Sequence, residues 1–220
     1  SITGTDDEMV KSGISIADIA AATQAHAAIL AALIQRSKTA EGSRIDISML
    51  EAMVEWMGFP LYYAYDGAEP PNRSGADHAS IYPYGAFNTS DDRVIMLGLQ
   101  NEREWEIFCR EVLAQEDLLA DPRFSNNALR SSNRELLREI IQNLFSSLNA
   151  AQASAKLDAA KIAFANVNAM QDVWNHPQLK SLNRIVETHT PAGIVKSFLP
   201  PGNDSSYNPT LSAVPSVGEH

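Results

Sequence analysis

The sequence predicts a mixed α/β (α+β) protein: long helices, then a hinge, then a small domain of strands and helices. Three observations predict it. An alanine-rich stretch over about 15–36 repeats its large apolar residues near every 3.6 positions. A Pro/Gly-rich break, DGAEPPNRSG, interrupts the chain at 66–75. Beyond it, two apolar runs flank the turn NTSDD and lead into amphipathic helices.

Each element has its own warrant. Ile16, Ile19, Thr23, Leu30, Leu33 and Ile34 recur at helical spacing, which predicts a tightly packed helix with alanines filling the gaps. Lys38 to Arg44 reads as a polar loop, and Arg44–Ile47 alternates as a short strand does. Ser48 and Glu51 have the spacing of a capping box, which starts a second helix toward Tyr65, and Pro60 should interrupt it. Ile81–Phe87 and Val94–Leu99 read as a hairpin. Asn101 and Glu104 suit the N-cap and third position of a helix containing Trp105. DPRF at 121–124 belongs in a loop. Asn133–Leu148 follows as an amphipathic helix, with Leu137, Ile141 and Leu144 among its inward residues. Gln152–Lys161 gives a shorter helix, Arg184–Glu187 and Ile194–Phe198 give strands, and 200–220 is a loop-rich return.

Composition narrows the function. At 220 residues and 45% hydrophobic content the chain can build one large or two small cores. Its net charge of −10 argues against nucleic acid and against an anionic membrane surface. No apolar run is expected to approach the roughly 18 residues that span a bilayer. SITGTDDEMV lacks the basic and apolar regions of a secretory signal. The single cysteine, Cys109, excludes an internal disulfide framework and suits a reducing, cytoplasmic compartment. Trp105, Phe108 and Val112 surround it at helical spacing, so burial is expected rather than reactivity. His26, His176, His189 and His220 form no metal-ligand spacing, and no metal is expected. No glycine-rich phosphate loop of the G-x-G-x-x-G or G-x-x-x-x-G-K kind is present.

Asp18 is the most telling residue. It falls in the first turn of the alanine-rich helix, just after Ser12 and Gly13. The positive end of a helix dipole favours a charged carboxylate there, and an ionised aspartate can serve as a covalent nucleophile. The plainer alternative is a first-turn acid that only complements the dipole.

The wider pattern adds a second line of argument. G-x-S-x-A-D-I-A-A at 13–21 opens the helix that runs on to ILAALIQRSKTAEGSRIDISMLEA. IYPYGAFNTSDDRVIMLGL, NEREWEIFC, LLADPRFSNNALRSSNRELL, HPQL and PSVGEH follow in order. Together these blocks resemble the family III CoA-transferases, the group that includes formyl-CoA transferase, carnitine CoA-transferase and 2-methylacyl-CoA racemase. The DPRF-x-N-x-x-x-R-x-x-N-R-x-x-L pattern is the specific one, and the resemblance runs from Ser1 to His220.

The resemblance implies part of that family's fold. Residues 1–66 would be a segment of its large, Rossmann-like domain carrying the nucleophile, 67–183 its small α+β domain, and 184–220 a return toward the large domain. The family's N-terminal half has no counterpart before Ser1, so a C-terminal portion that is inactive alone is expected. CoA would be a substrate, with no permanently bound cofactor, a small carboxylic acid as partner substrate, and a homodimer as the assembly. Asp18 takes the nucleophile's place, and RSGADHAS at 73–80 the place of the glycine-bearing loop that shields the intermediate. That loop here carries only Gly75. His78 could orient a substrate carboxylate or move a proton, or simply bond to backbone. Arg73 could grip a substrate carboxylate bidentately, ahead of Arg103, or stay solvated. Arg123 and Arg130 are expected to bind backbone carbonyls. The block MLGLQNEREW with IYPYGAF looks most like members that handle mesaconyl-type C5 dicarboxylates.

Two departures bear on substrate shape. Ala22 and Gln24 stand where the family usually has Gly and Tyr, and KIAFANVNAM replaces a proline-containing turn while keeping Asn168. A 2-methylacyl-CoA racemase of the same fold is one alternative, which would need a histidine from the missing half. A non-catalytic interaction fragment is another, which an exposed apolar face on the Asp18 helix would favour.

Overall fold

A computed structural model of the chain describes residues 2–202 and 205–219. They group into two compact units, 1–166 and 167–220. This division differs from the breaks expected at 66/67 and 183/184.

In the first unit, α1 (Ile16–Thr39) begins directly after Ser15 and ends at Ala40, whose left-handed backbone donates its N–H to the Arg36 carbonyl. Residues 40–48 are irregular rather than a strand. Arg44 and Asp46 instead pair with one another at 2.9 Å in solvent, which accounts for the alternation without a ladder. Ser48 caps α2 (Met49–Met57), its hydroxyl accepting from the Glu51 N–H at 3.3 Å. The chain turns at Gly58, whose φ of 52° suits glycine, and α3 (Phe59–Tyr63) restarts with Pro60 in its first turn, where no N–H is needed.

The core lies between residues 82 and 164. Strands β1 (Tyr84–Asn88), β2 (Val94–Gly98) and β3 (Phe164–Asn166) form an antiparallel sheet in that order, with Ala86 opposite Met96 and Leu97 opposite Phe164. Burial alternates along β1 and β2, so Phe87, Ile95 and Leu97 all point to one face. Four helices carry the other wall, α4 (Glu102–Ile107), α5 (Asn127–Ser132), α6 (Arg134–Phe145) and α7 (Ala150–Ala159), together with the π-type turns Phe108–Leu113 that continue α4. Leu137, Ile141 and Phe145 follow one another four apart down α6 and are fully buried with Trp105, Phe108, Phe124 and Leu157. Each such side chain contributes on the order of 1.5–3 kcal/mol by leaving water. Cys109 is wholly buried among them, and burial pushes its thiol up to about 12. Asn101, Asn126 and Asn149 cap α4, α5 and α7, the last in a reciprocal box with Gln152.

Other features also differ from the sequence reading. DPRF is not a plain loop: Pro122–Phe124 is a 3₁₀ turn capped by Asp121, and α5 follows it directly. KIAFANVNAM contributes β3, a strand too short for its own periodicity to announce. A further correction concerns α1, which was expected to be tightly packed. Ala20 is its only buried residue, while Leu33 and Ile34 are 43% and 59% exposed. At 24 residues, α1 is also long and apolar enough, by length and composition, to cross a membrane, contrary to the expectation of no such run. Its alanines raise apolar content while offering little side-chain area, so helical length accumulates without a matching drive to bury.

The second unit holds α8 (Met170–Trp174), α9 (Pro177–Ser181) and an antiparallel pair, β4 (Ile185–Thr190) with β5 (Gly193–Phe198). Trp174 stacks on Phe198 at 4.5 Å between ring centres.

Candidate active site

Asp18 stands in the first turn of α1 and is exposed. Among the described residues no hydrogen bond or ion pair engages its carboxylate. Six residues on, Gln24 Nε2 donates to Glu55 Oε2 at 2.7 Å, tying α1 to α2.

The loop 72–80 is fastened at both ends. Its first half is held by the N-terminal turn, where Gly4 bridges Met9. Arg73 donates through Nε to the Thr5 carbonyl at 2.5 Å and through Nη2 to the Asp6 carbonyl at 2.7 Å. Two of its five N–H donors are therefore spent on backbone, leaving Nη1 and the second N–H of Nη2 for anything else. Gly75, with φ of 63°, donates its N–H to the Gly4 carbonyl at 2.7 Å.

His78 belongs to the second half. Its N–H donates to the Tyr84 carbonyl at 2.8 Å, and its Nδ1 accepts from the N–H groups of Ser80 and Ile81, both at 3.1 Å. The ring sits between Phe59 and Tyr84, at 6.0 and 5.3 Å between centres. Only Nε2 is left to meet a substrate. A small apolar pocket of about 220 Å³ brings Gly75 and His78 together with Phe59, Tyr63 and Pro71. A neighbouring cleft of about 580 Å³ is lined by Arg73, Arg134 and four acids: Asp6, Asp7, Asp77 and Glu135. Thus Arg73, Gly75 and His78 share one loop, whereas no bond among the described residues links them to Asp18.

Three arginines that follow DPRF, Arg130, Arg134 and Arg138, are structural anchors. Arg130 is 3% exposed and donates to the Tyr82 and Phe124 carbonyls, both at 3.1 Å, and to both oxygens of Glu102 at 2.8 and 2.9 Å. Its guanidinium also lies 5.0 Å from the Trp105 ring centre. Arg134 repeats the arrangement on Tyr82 and the Ala79 carbonyl, and Arg138 on Phe87 and the Ala86 carbonyl. Arg123 pairs with Asp121 instead.

Asp77 is the residue that sequence reading missed. Its Oδ1 lies 3.0 Å from Arg138 Nη2, beside β1. Burial raises its pKa above the ordinary aspartate range, outweighing the attraction of Arg138 and Arg134. The spacing of Arg134 and Arg138, four apart at the start of α6, was the available signal, since a helix aims such a pair at one neighbour. The hydroxyl of Tyr82 is buried without a hydrogen-bond partner among the described residues. His26 is in α1, His176 precedes α9 and His189 is in β4, and His220 lies outside the described residues.

The sequence pattern of CoA-transferase family III matches residues 1–220. The chain belongs to that family. An acyl-CoA transferase of Fusarium pseudograminearum is 29% identical over 216 residues, covering 96% of this chain and 47% of the relative. A succinyl-CoA:mesaconate CoA-transferase of Haloarcula hispanica is 29% identical over 192 residues, covering 86% of this chain and 47% of that protein. The family III chain thus spans about half the length of the curated relatives it matches. A CaiB/BaiF family protein from Brucella suis, solved by crystallography, superposes with a TM-score of 0.81 at 26% identity, covering all of this chain and 57% of its own.

Proposed function

We propose that the whole protein transfers CoA between carboxylic acids, with Asp18 as its covalent nucleophile. The observation that carries this reading is the family match across the chain, combined with an exposed, unengaged carboxylate in the first turn of α1. An Asp18 oxygen attacks the thioester carbonyl of acyl-CoA, forming a mixed anhydride and releasing CoA thiolate. The thiolate attacks the aspartyl carbonyl of the anhydride, expelling the first carboxylate and leaving an aspartyl thioester. The acceptor carboxylate attacks that thioester to form a second anhydride and free thiolate. Attack of the thiolate on the acyl carbonyl gives the new acyl-CoA and restores Asp18. One difficult exchange is divided into four easier ones.

A short, branched dicarboxylic acyl group, of the mesaconyl type, is the substrate class we assign. Relatives named for glutarate, mesaconate and D-citramalate support it, because each name is that of a dicarboxylic acid. A second carboxylate inside a site needs a cation. Arg73 remains the assigned group through its remaining guanidinium donors, with His78 offering Nε2 from the same loop and Gly75, tied to the Gly4 carbonyl, setting the path of that loop. A homodimer belongs to the same reading, supported by the exposed apolar residues of α1.

Incubating the full-length enzyme with acyl-CoA, then hydroxylamine or borohydride, should modify Asp18 alone. Near wild-type transfer by Asp18→Ala would overturn the assignment.

A further inference from the structure

We propose that Asp77 is a positioning residue, held by Arg138 and seated over Gly85, that fixes the loop carrying Gly75 and His78. This rests on the reading of that loop as part of the transferase site.

Gly85 makes the first argument. Its backbone is an ordinary β1 conformation, so no left-handed turn demands glycine there. A Cβ at this position would stand 1.8 Å from Asp77 Oδ1 and 2.7 Å from its Cγ. The missing side chain is the space that the carboxylate occupies. Arg138 supplies the second argument. It leaves α6, crosses the Phe87 ring at 5.2 Å, and divides its donors between the Ala86 carbonyl and Asp77 Oδ1, both at 3.0 Å. Strand, helix and loop therefore meet at one guanidinium.

The loop's own bonds explain what this fixes. Ser74 Oγ donates to the Asp77 carbonyl at 2.6 Å, and the Asp77 N–H returns to the Ser74 carbonyl at 3.0 Å. Residues 74–77 thus form a closed turn that the Asp77 side chain ties to the core, next to the backbone bond from the His78 N–H to the Tyr84 carbonyl. His78 comes next, its ring direction set by Ser80, Ile81 and the two aromatic faces. Burial of Asp77 disfavours its charge. A carboxylate kept at a cost in that location is better explained by positioning than by stability.

The test uses the full-length enzyme and two changes that displace the carboxylate by different means. Asp77→Asn keeps shape and removes charge; Gly85→Ala keeps charge and fills the seat. Each should raise amide hydrogen exchange across 74–81 at least about 10-fold, a difference corresponding to about 1.4 kcal/mol of local opening. Each should also raise the share of acyl-CoA lost to water, which attacks the acyl or aspartyl carbonyl to give carboxylate and free CoA. The double variant should be no worse than the worse single one, because both remove the same contact. Unchanged exchange in Asp77→Asn, additive effects in the double variant, or raised exchange with an unchanged hydrolytic share would overturn the proposal. Asp18→Ala, measured alongside, separates the two ideas: persistent transfer there removes the transferase reading, while the exchange data still decide the fastening. Should Gly85→Ala not fold, Arg138→Lys takes its place as the second disruption.

Discussion

Helices α1 and α6 both carry apolar residues at helical spacing, far more one-sidedly in α6, and they have opposite fates. In α6, 12 residues place Leu137, Ile141 and Phe145 at 0% exposure against the sheet. In α1, 24 residues bury only Ala20. Periodicity specifies which face of a helix is apolar, and something else must supply the cover. For α6 the cover comes from within 60 residues, in β1, β2 and α7. For α1 no comparable cover exists among the described residues. The relatives are about twice as long as this chain, and we take the α1 face to be covered in the whole protein.

The largest expected effect lies on the α6 side. Phe145→Ala should cost about 3–5 kcal/mol, since the ring packs on Phe87 at 5.7 Å in a filled core. Ile34→Ser in the same 220-residue chain should cost less than about 0.5 kcal/mol. Urea unfolding of the two variants checks the contrast. Equal losses would mean that α1 is packed after all.

Arg130→Met should cost about 2–4 kcal/mol, because it strands two buried carbonyls and removes the stack on Trp105. The guanidinium of Arg123, exposed and paired within its own turn, should be replaceable by Lys with little change in melting temperature. Thermal melts of both variants rank the arginines of the DPRF block. The reverse order would return Arg123 to the list of structural anchors.

A third comparison sets the chain against the full-length protein. Leu33→Ser with Ile34→Ser should leave the chain's stability within about 0.5 kcal/mol. In the full-length protein the same pair should cost about 2 kcal/mol or more, or shift light scattering from dimer to monomer. No change in either protein would mean that the α1 face is solvated throughout.

What the sequence revealed, and what it hid, divides along the same line. The hairpin at 84–98, the N-caps at Ser48 and Asn101, and the inward face of α6 were legible because each depends on residues within about fifteen positions of one another. Strand β3 was not, since three residues carry no period and their pairing with β2 is settled by packing. At the candidate site, Asp18 was reached by its family position, and Arg73 by its charge. The backbone carbonyls that occupy Arg73 come from residues 67 and 68 positions away, beyond any local pattern. Asp77 was hidden for the same reason: its partner is 61 residues distant and its seat is defined by an atom that glycine lacks.

The smallest expected effect distinguishes the two arginine–carboxylate pairs by pH. Glu102 is lowered below the ordinary glutamate range by its hydrogen bonds from Arg130. In acid the unfolded chain takes up its proton first, so the stability Glu102 contributes is present above the ordinary value and lost as pH falls through the lowered one. Asp77 is raised, chiefly by burial, so the sign reverses. Its contribution is present below the ordinary aspartate value and is lost as pH rises through the raised one. Melting curves should show the disadvantage of Glu102→Gln, relative to wild type, shrinking below about pH 4, while Asp77→Asn gains on wild type from about pH 4 upward. With Glu102 58% exposed, screening holds its effect under about 1 kcal/mol. Parallel curves for both variants would mean that the two pairs are electrostatically equivalent. The contrast between a pair that serves the core and one that serves the loop would then rest on geometry alone.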